Sequence, residues 1–157
     1  MIVVGIDPGL TGAIAVIADG NTLVYDMPTF QYSAKGFVKR AFDAQPFANM
    51  LPSAPASVFI ERVNAFPGQG VGSMFSLGMS YWGVHSVCKA LGHNVTLVEA
   101  KAWKNHFGLS KEKDASLSLA RKMYPQVDLR LAKHHNRAEA LLIAAYGDFL
   151  NSGNKNA

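Results

Sequence analysis

The sequence predicts an α/β fold in which helices pack on a mixed β-sheet. Three strand-like segments come first, at residues 1–7, 12–18 and 21–27. Beyond them, short apolar segments alternate with segments in which apolar residues recur at helical spacing. Strands first, followed by alternating strands and helices, is the order typical of a sheet covered by helices.

The domain organisation is expected to be simple. The chain of 157 residues is long enough for one hydrophobic core. With 49% hydrophobic and 17% charged residues, its composition is globular and excludes a disordered protein. Because no internal repeat or linker is visible, we expect one domain over residues 1–150 and a polar tail over residues 151–157.

The first half of the chain predicts a hairpin and a further strand. The DGN sequence at residues 19–21 favours a tight turn between the second and third strands. Residues 57–61 are apolar and β-branched, which predicts a buried strand that ends in an acid. Between them, Pro46 limits any long helix within residues 35–51. Four apolar residues of that segment nevertheless recur at helical spacing: Phe37, Val38, Ala41 and Phe42.

The second half predicts four helices and one strand. A loop over residues 65–72 precedes a long apolar helix over residues 72–91, which Gly92 is expected to end. The elements expected after it are a strand over 94–98, a short helix over 101–107 closed by Gly108, a helix from Ser110 as N-cap to Tyr124, and a last helix over 135–150.

The charge distribution is compatible with a nucleic-acid partner. The formal net charge is +4 and the pI is about 9.3. A solvated helical face would also account for the basic residues between positions 101 and 137. They are Lys101, Lys104, Lys111, Lys113, Arg121, Lys122, Arg130, Lys133 and Arg137.

The cysteine content and the hydropathy indicate the compartment. Cys88 is the single cysteine, so an intramolecular disulfide is excluded and a reducing compartment is favoured. No secretory leader is visible, and no apolar stretch approaches the length needed to span a bilayer. We therefore expect a cytoplasmic protein without a membrane partner.

Three acids occupy positions that are poor for packing. Asp7 and Glu61 each end an apolar strand segment, and Glu139 lies near the start of an otherwise apolar helix. Asp7 could bond its own turn, and Glu139 could interact with the helix dipole. Alternatively, the three acids converge at one edge of the sheet. Their oxygen ligands would then suit Mg²⁺ or Mn²⁺, and a pair of such ions is a common device for cutting a phosphodiester.

Three motifs resemble the RuvC family of Holliday junction resolvases, with most similarity to its phage and prophage branch. They are GIDPG at residues 5–9 followed by TG at 11–12, FIERV at 59–63, and NRAEALLIA at 136–144. The resemblance implies an RNase H-like fold with a five-stranded mixed sheet flanked by helices. It also implies a homodimer that binds a four-way DNA junction, in a bacterial or phage-infected bacterial cell.

The resemblance further implies a crossover junction endodeoxyribonuclease. Such an enzyme nicks two strands symmetrically by Mg²⁺-dependent hydrolysis, with Mn²⁺ as a substitute, and leaves a 5′-phosphate and a 3′-hydroxyl. Residues that match the family's metal ligands are Asp7, Glu61 and Glu139. One helical turn before the last carboxylate the family has a further acid or His. Here His135 or Asn136 lies on that face, so either could complete the catalytic site, or merely cap the helix.

Several other residues are implied as DNA contacts. Lys104 and Lys113 fall near basic positions of the family, and Lys101 and Lys111 are expected to add phosphate contacts. Phe66 could stack on bases at the junction centre, or be a core residue. The surplus apolar surface of the helix over 72–91 suits a dimer interface. Two alternatives stay open: a nuclease of this fold that cuts other branched or hybrid substrates, and a catalytically decayed junction-binding protein.

Overall fold

The main sheet is mixed and five-stranded, as expected, and the first strand lies in its middle. Strand β1 (Ile2–Asp7) pairs antiparallel with β2 (Ala13–Ala18) and parallel with β6 (Ser57–Glu61). Strand β3 (Asn21–Asp26) extends the sheet beyond β2, and β7 (Asn94–Val98) extends it in parallel beyond β6. The mixed sheet follows from these two kinds of pairing.

This computed structural model describes residues 1–65, 67–110, 112 and 114–153. A separate two-stranded sheet and five α-helices complete the described fold. The strands are β4 (Thr29–Ala34) and β5 (Phe37–Phe42). The helices are α1 (Ala44–Met50), α2 (Val71–Ala90), α3 (Ala100–His106), α4 (Ala115–Met123) and α5 (His135–Gly153), and a 3₁₀ turn (Ala132–His134) precedes α5.

The central strand buries side chains on both faces of the sheet. Val3 belongs to one hydrophobic cluster, together with residues of α3, α4 and α5. Val4 and Ile6 belong to the other cluster, together with residues of α1 and α2. Because successive side chains of a strand point to opposite faces, β1 is apolar along nearly its whole length. The sheet is therefore a central layer between two layers of helices.

Helix α5 approaches β1 unusually closely, because two glycines leave room for it. A Cβ atom on Gly5 would lie 2.2 Å from the carbonyl oxygen of Ala140 and 2.3 Å from the backbone nitrogen of Ala144. On the helix, a Cβ atom on Gly147 would lie 2.2 Å from the ring of Phe59. Backbone therefore packs on backbone, which fixes the position of α5 on the sheet.

The helical spacing of the apolar residues at 37–42 does not correspond to a helix, although the short α1 does lie within residues 35–51. Residues 29–42 form a β-hairpin whose turn has positive φ at both Lys35 (φ 50°) and Gly36 (φ 78°). The same pair of signs occurs at Asp19 and Gly20, where the sequence did predict a tight turn. Lys-Gly is a weaker sequence signal for such a turn than Asp-Gly, and the apolar residues of β5 recur at helical spacing by coincidence.

Helix α4 begins later and α5 ends later than expected, whereas α2 ends as predicted. Helix α4 begins at Ala115 with Asp114 as N-cap residue, and the Ser110 hydroxyl instead accepts a hydrogen bond from the Glu112 backbone N–H (3.2 Å). Helix α2 ends as predicted, with Gly92 in the left-handed region (φ 81°). Helix α5 continues to Gly153, three residues beyond the predicted limit.

We predict that Gly5→Ala strongly destabilises the protein, because the new methyl group would collide with the backbone of α5. The helix would have to move, at a cost of about 3 kcal/mol or more in the free energy of unfolding. Urea denaturation measures this change. Gly72→Ala in α2 is the matched control, since a Cβ atom there meets nothing within 4 Å and should leave stability equal or slightly higher. Equal stability of Gly5→Ala and wild type would contradict the packing argument.

Candidate active site and metal centre

Two of the predicted acids leave the sheet at the same edge. Asp7 is the last residue of β1 and Glu61 is the last residue of β6. These strands are parallel neighbours, with Ile6 opposite Ile60, so their carboxyl ends coincide. The carboxyl ends of neighbouring parallel strands are a common place for functional side chains in open α/β sheets.

The third acid is brought to this edge by helix packing. Glu139 lies in the second turn of α5, immediately before Ala140, whose backbone packs against Gly5 of β1. The close approach of the helix therefore sets the distance between Glu139 and the end of β1. The three acids lie near enough for the charge of Glu139 to raise the pKa of both Asp7 and Glu61.

Asp7 is the most strongly perturbed carboxyl of the three. Loss of solvation in the surrounding protein, together with the charges of Glu139 and Glu61, raises its pKa to about 7. A hydrogen bond from the Gly9 backbone N–H and the charge of Lys104 act in the opposite direction. An acid that is costly to ionise in its own site is a good ligand for an added cation.

Glu61 is oriented by a buried indole. Trp103 in α3 is fully buried, and its Nε1–H donates a hydrogen bond to Glu61 Oε2 (2.8 Å). Loss of solvation raises the pKa of Glu61, the Trp103 hydrogen bond lowers it, and the charge of Glu139 raises it. Since Trp103 holds one carboxylate oxygen, the other oxygen of Glu61 stays available for a ligand.

Glu139 is paired with protein donors. Lys104 Nζ lies 3.2 Å from Glu139 Oε1, and the Ser116 hydroxyl donates to the same oxygen at 3.4 Å. The charge of Lys104 also lowers the pKa of both Asp7 and Glu61. One ammonium group therefore compensates three carboxylates.

The donor set fits a hard divalent cation. Three carboxylates exceed the single positive charge of Lys104 that pairs with them, and oxygen ligands of this kind suit Mg²⁺ or Mn²⁺ better than zinc. Within the described ranges, no three His, Cys, Asp or Glu side chains already stand in the geometry of a metal centre. Instead, Glu61 accepts a hydrogen bond from Trp103, and Glu139 pairs with Lys104.

The turn after Asp7 is held from three directions. The buried Ser80 hydroxyl of α2 donates to the Pro8 carbonyl (2.8 Å), and Arg40 of β5 donates to the Leu10 carbonyl (3.1 Å). From α5, the Asn136 amide donates to the Thr11 carbonyl. These bonds tie the turn to three other elements, and with it the carboxylate of Asp7.

Asn136 and His135, the two residues predicted to complete the site, lie in different surroundings. Asn136 uses its amide group on the turn after Asp7, as described above, which gives it a positioning role. His135 lines a cleft of about 470 Å³ with Glu139, Lys101 and Lys104. His135 therefore remains the better candidate for a metal ligand or a proton donor at this site.

The basic run between residues 101 and 137 is not one uniform surface. Arg137 forms a two-pronged ion pair with Asp26 (2.6 and 2.7 Å), and Arg130 pairs with Asp128. Arg121 donates to backbone carbonyls of Leu129 and Arg130. These three arginines are paired with other groups of the chain, whereas Lys101 and Lys104 face the cleft beside Glu139.

Three predicted DNA contacts fall outside the described residues: Phe66, Lys111 and Lys113.

The sequence did not predict four residues that support the acids. They are Arg40, Ser80, Trp103 and Ser116. None of the four had a local signal, because the partner of each lies at least 23 positions away in sequence.

The fold is that of RuvC, which confirms the predicted RNase H-like architecture. The structure of Thermus thermophilus RuvC superposes with a TM-score of 0.60 and 14% identity, over 96% of this chain and 97% of that chain. The structure titled "T. thermophilus RuvC in complex with Holliday junction substrate" gives a TM-score of 0.60 and 15% identity, over 98% and 96% of the two chains. At these identities, the similarity establishes the fold.

A relative found by its sequence is named as a resolvase, but the match covers only part of either chain. The chain is 38% identical over 95 residues to the Holliday junction resolvase MOC1, chloroplastic, of Chlamydomonas reinhardtii. The match covers 56% of this chain and 10% of that protein, so the chain spans a small fraction of its relative. No protein-family model matches the chain.

In the part of the chain that the structure describes, no helix is long and apolar enough to cross a membrane.

The electrostatics of Asp7 predict a pH-dependent penalty in the metal-free protein. The pKa of Asp7 is about 7 in the folded state, against 3.8 for an ordinary aspartate. Below the lower value, Asp7 is protonated in both the folded and the unfolded chain and costs nothing. Between the two values the unfolded chain ionises while Asp7 of the folded chain stays protonated, so the folded state loses stability until the pH passes the folded pKa.

Asp7→Asn is therefore expected to stabilise the metal-free protein at pH 8 by about 1–3 kcal/mol, because it removes the charge. At pH 3, below both pKa values, the free energies of unfolding of variant and wild type should agree. Urea denaturation in EDTA at both pH values measures the difference. Asp148→Asn, on the exposed side of α5, is the control and should change little at either pH. A stabilisation by Asp7→Asn of equal size at both pH values would contradict the electrostatic explanation.

Proposed function

We propose that the chain is a RuvC-family Holliday junction resolvase, that is, a crossover junction endodeoxyribonuclease. The observation that carries the proposal is the set of three mutually repelling carboxylates, Asp7, Glu61 and Glu139, at the carboxyl edge of a RuvC-like sheet. The sequence similarity to the resolvase MOC1 supports the same activity. Because the match covers only 10% of that relative, its activity is carried over to this chain as a proposal.

Asp7, Glu61 and Glu139 would hold Mg²⁺, with Mn²⁺ as a substitute. When bound, such ions activate a water and stabilise the leaving oxygen of a phosphodiester. The surrounding protein orients these three acids. Trp103 holds Glu61, the three bonds to the turn hold Asp7, and the packing of α5 on Gly5 holds Glu139.

Lys104 and His135 would act on the DNA side of the site. Lys104 pairs with Glu139 and lies beside Lys101 in the same cleft, where both could bind phosphate oxygens. His135 lines that cleft too and could donate a proton to the leaving oxygen. The predicted contacts of Lys111, Lys113 and Phe66 remain part of the proposal. Hydrolysis in this arrangement would leave a 5′-phosphate and a 3′-hydroxyl.

The substrate would be a four-way junction bound by a homodimer, so that two sites nick symmetric strands. Helix α2 supports the dimer, because it exposes a stripe of large apolar residues at helical spacing. The stripe consists of Val71, Phe75, Met79 and Trp82, which are 86%, 70%, 57% and 56% exposed. We further propose a phage or prophage origin and action in the cytoplasm of a bacterial cell, on the resemblance of residues 136–140 to that branch.

The proposal predicts paired, symmetric nicks in a synthetic four-way junction, dependent on Mg²⁺ or Mn²⁺, with linear duplex largely spared. Asp7→Asn and Glu139→Gln should each lower the nicking rate by at least about 100-fold while junction binding persists, since each removes an expected metal ligand. Asp148→Asn is the matched acid control and should nick at the wild-type rate. Gel assays of nicking and of binding measure both properties.

Three outcomes would contradict the proposal in different ways. Preferential cutting of an RNA–DNA hybrid or a flap would assign another substrate to the same fold. Tight junction binding without nicking in either ion would indicate a non-catalytic binding protein. Undiminished nicking by Asp7→Asn would exclude the proposed metal site.

A further inference from the structure

The hairpin of β4 and β5 extends from the same edge of the sheet as the acids. Asp7 at the end of β1 lies opposite Ala13, and Ala13 lies opposite Asp26, the last residue of β3. The chain enters β4 three residues later, at Thr29. The hairpin therefore begins beside the proposed active site.

The hairpin is also tied to the turn that carries Asp7. Arg40 donates a hydrogen bond to the Leu10 carbonyl, as described above. At the base of the hairpin, the ring of Phe42 packs edge-on against Phe47 with centroids 5.1 Å apart, and it fills the space beside Gly83 of α2. These contacts hold the hairpin in a defined direction relative to the acids.

A cleft separates the hairpin from α2 and opens onto the active-site turn. Its volume is about 930 Å³, and Gly9, Leu10 and Thr11 line one part of it. Phe30, Tyr32 and Lys39 line the part formed by the hairpin, and the first half of α2 contributes the opposite wall. A strand that leaves the acids in this direction would run along the hairpin.

The chemistry of the hairpin matches nucleic acid. Residues 29–42 contain Lys35, Lys39 and Arg40 but no Asp or Glu. The strand register places Tyr32 directly opposite Lys39, and Phe30 lies on the same face. Phe37, which is 71% exposed, lies beside the turn at the tip. Exposed cations interleaved with exposed aromatic rings are typical of surfaces that bind a nucleic-acid backbone and its bases.

A second copy of this chain is a poorer occupant. Two facing hairpins would bring like charges together, since each carries three cations and no acid. The apolar stripe of α2 offers the lysines no partner either, because residues 71–90 contain no Asp or Glu. Phosphates supply the compensating charge that neither surface of the chain provides.

We propose that the β4–β5 hairpin is a DNA-binding arm, in which Lys35 and Lys39 contact phosphates of the strand that leaves the active site. This inference rests on the proposed function for the identity of the substrate. Arg40 acts differently from the two lysines, because it positions the turn after Asp7. DNA held by the arm is thereby aligned with the acids.

The double variant Lys35→Gln/Lys39→Gln tests the arm. Junction affinity, measured by fluorescence anisotropy in EDTA at several salt concentrations, should fall about tenfold. The slope of log Kd against log salt should decrease in magnitude by about 1.8, because two phosphate contacts are lost. Lys39→Gln alone should give about half of this change in slope. Lys89→Gln, an exposed lysine at the end of α2, is the matched control and should bind as wild type does.

The possible outcomes separate this inference from the proposed function. If the wild type nicks junctions and the double variant keeps the wild-type Kd and slope, the inference of a DNA-binding arm is overturned and the proposed function is not. Wild type that does not nick, combined with weakened binding by the double variant, supports the arm and overturns the proposed enzyme. A double variant whose sedimentation shows a changed oligomeric state assigns the hairpin to contacts between copies and overturns the arm. Wild type that binds no DNA overturns both.

Discussion

The close packing of α5 on β1 is the constraint on which the proposed site depends. Gly5 lets the backbone of Ala140 and Ala144 lie against the strand, and Gly147 makes room for the ring of Phe59. Two backbones in such contact have little freedom to slide, because any shift would create a clash or a void. The same contact places Glu139 beside the carboxyl ends of β1 and β6, where Asp7 and Glu61 lie.

This packing forces together charges that the metal-free fold does not favour. Burial raises the pKa of Asp7 and Glu61, the charge of Glu139 adds to the rise, and Lys104 compensates only part of the negative charge. Sites of this kind lower the free energy of unfolding of the protein, because the charges that function requires are unfavourable in the fold. The surrounding hydrogen bonds serve the same purpose, because Trp103, Ser80 and Asn136 each fix the orientation of an acid or of its turn.

The sequence was sufficient for the main sheet and the three acids, because strand patterns and strand-end carboxylates are local features. The hairpin of residues 29–42 escaped prediction, since its apolar residues imitate helical spacing and its Lys-Gly turn is uncommon. The bond between Trp103 and Glu61 joins residues 42 positions apart, so no local pattern could reveal it. The role of Asn136 was also hidden, because its partner Thr11 lies on another element and becomes a neighbour only through the packing of α5.

The central claim is that Asp7, Glu61 and Glu139 together form one cation site. The most direct measurement is the anomalous diffraction of a crystal grown with Mn²⁺. We expect an anomalous peak within about 2.0–2.3 Å of carboxylate oxygens from all three residues. We also expect Lys104 to have moved away from Glu139, since the cation would take its place. A crystal in Mn²⁺ without such a peak, or with a peak that excludes Asp7 while Lys104 still pairs with Glu139, would contradict the account.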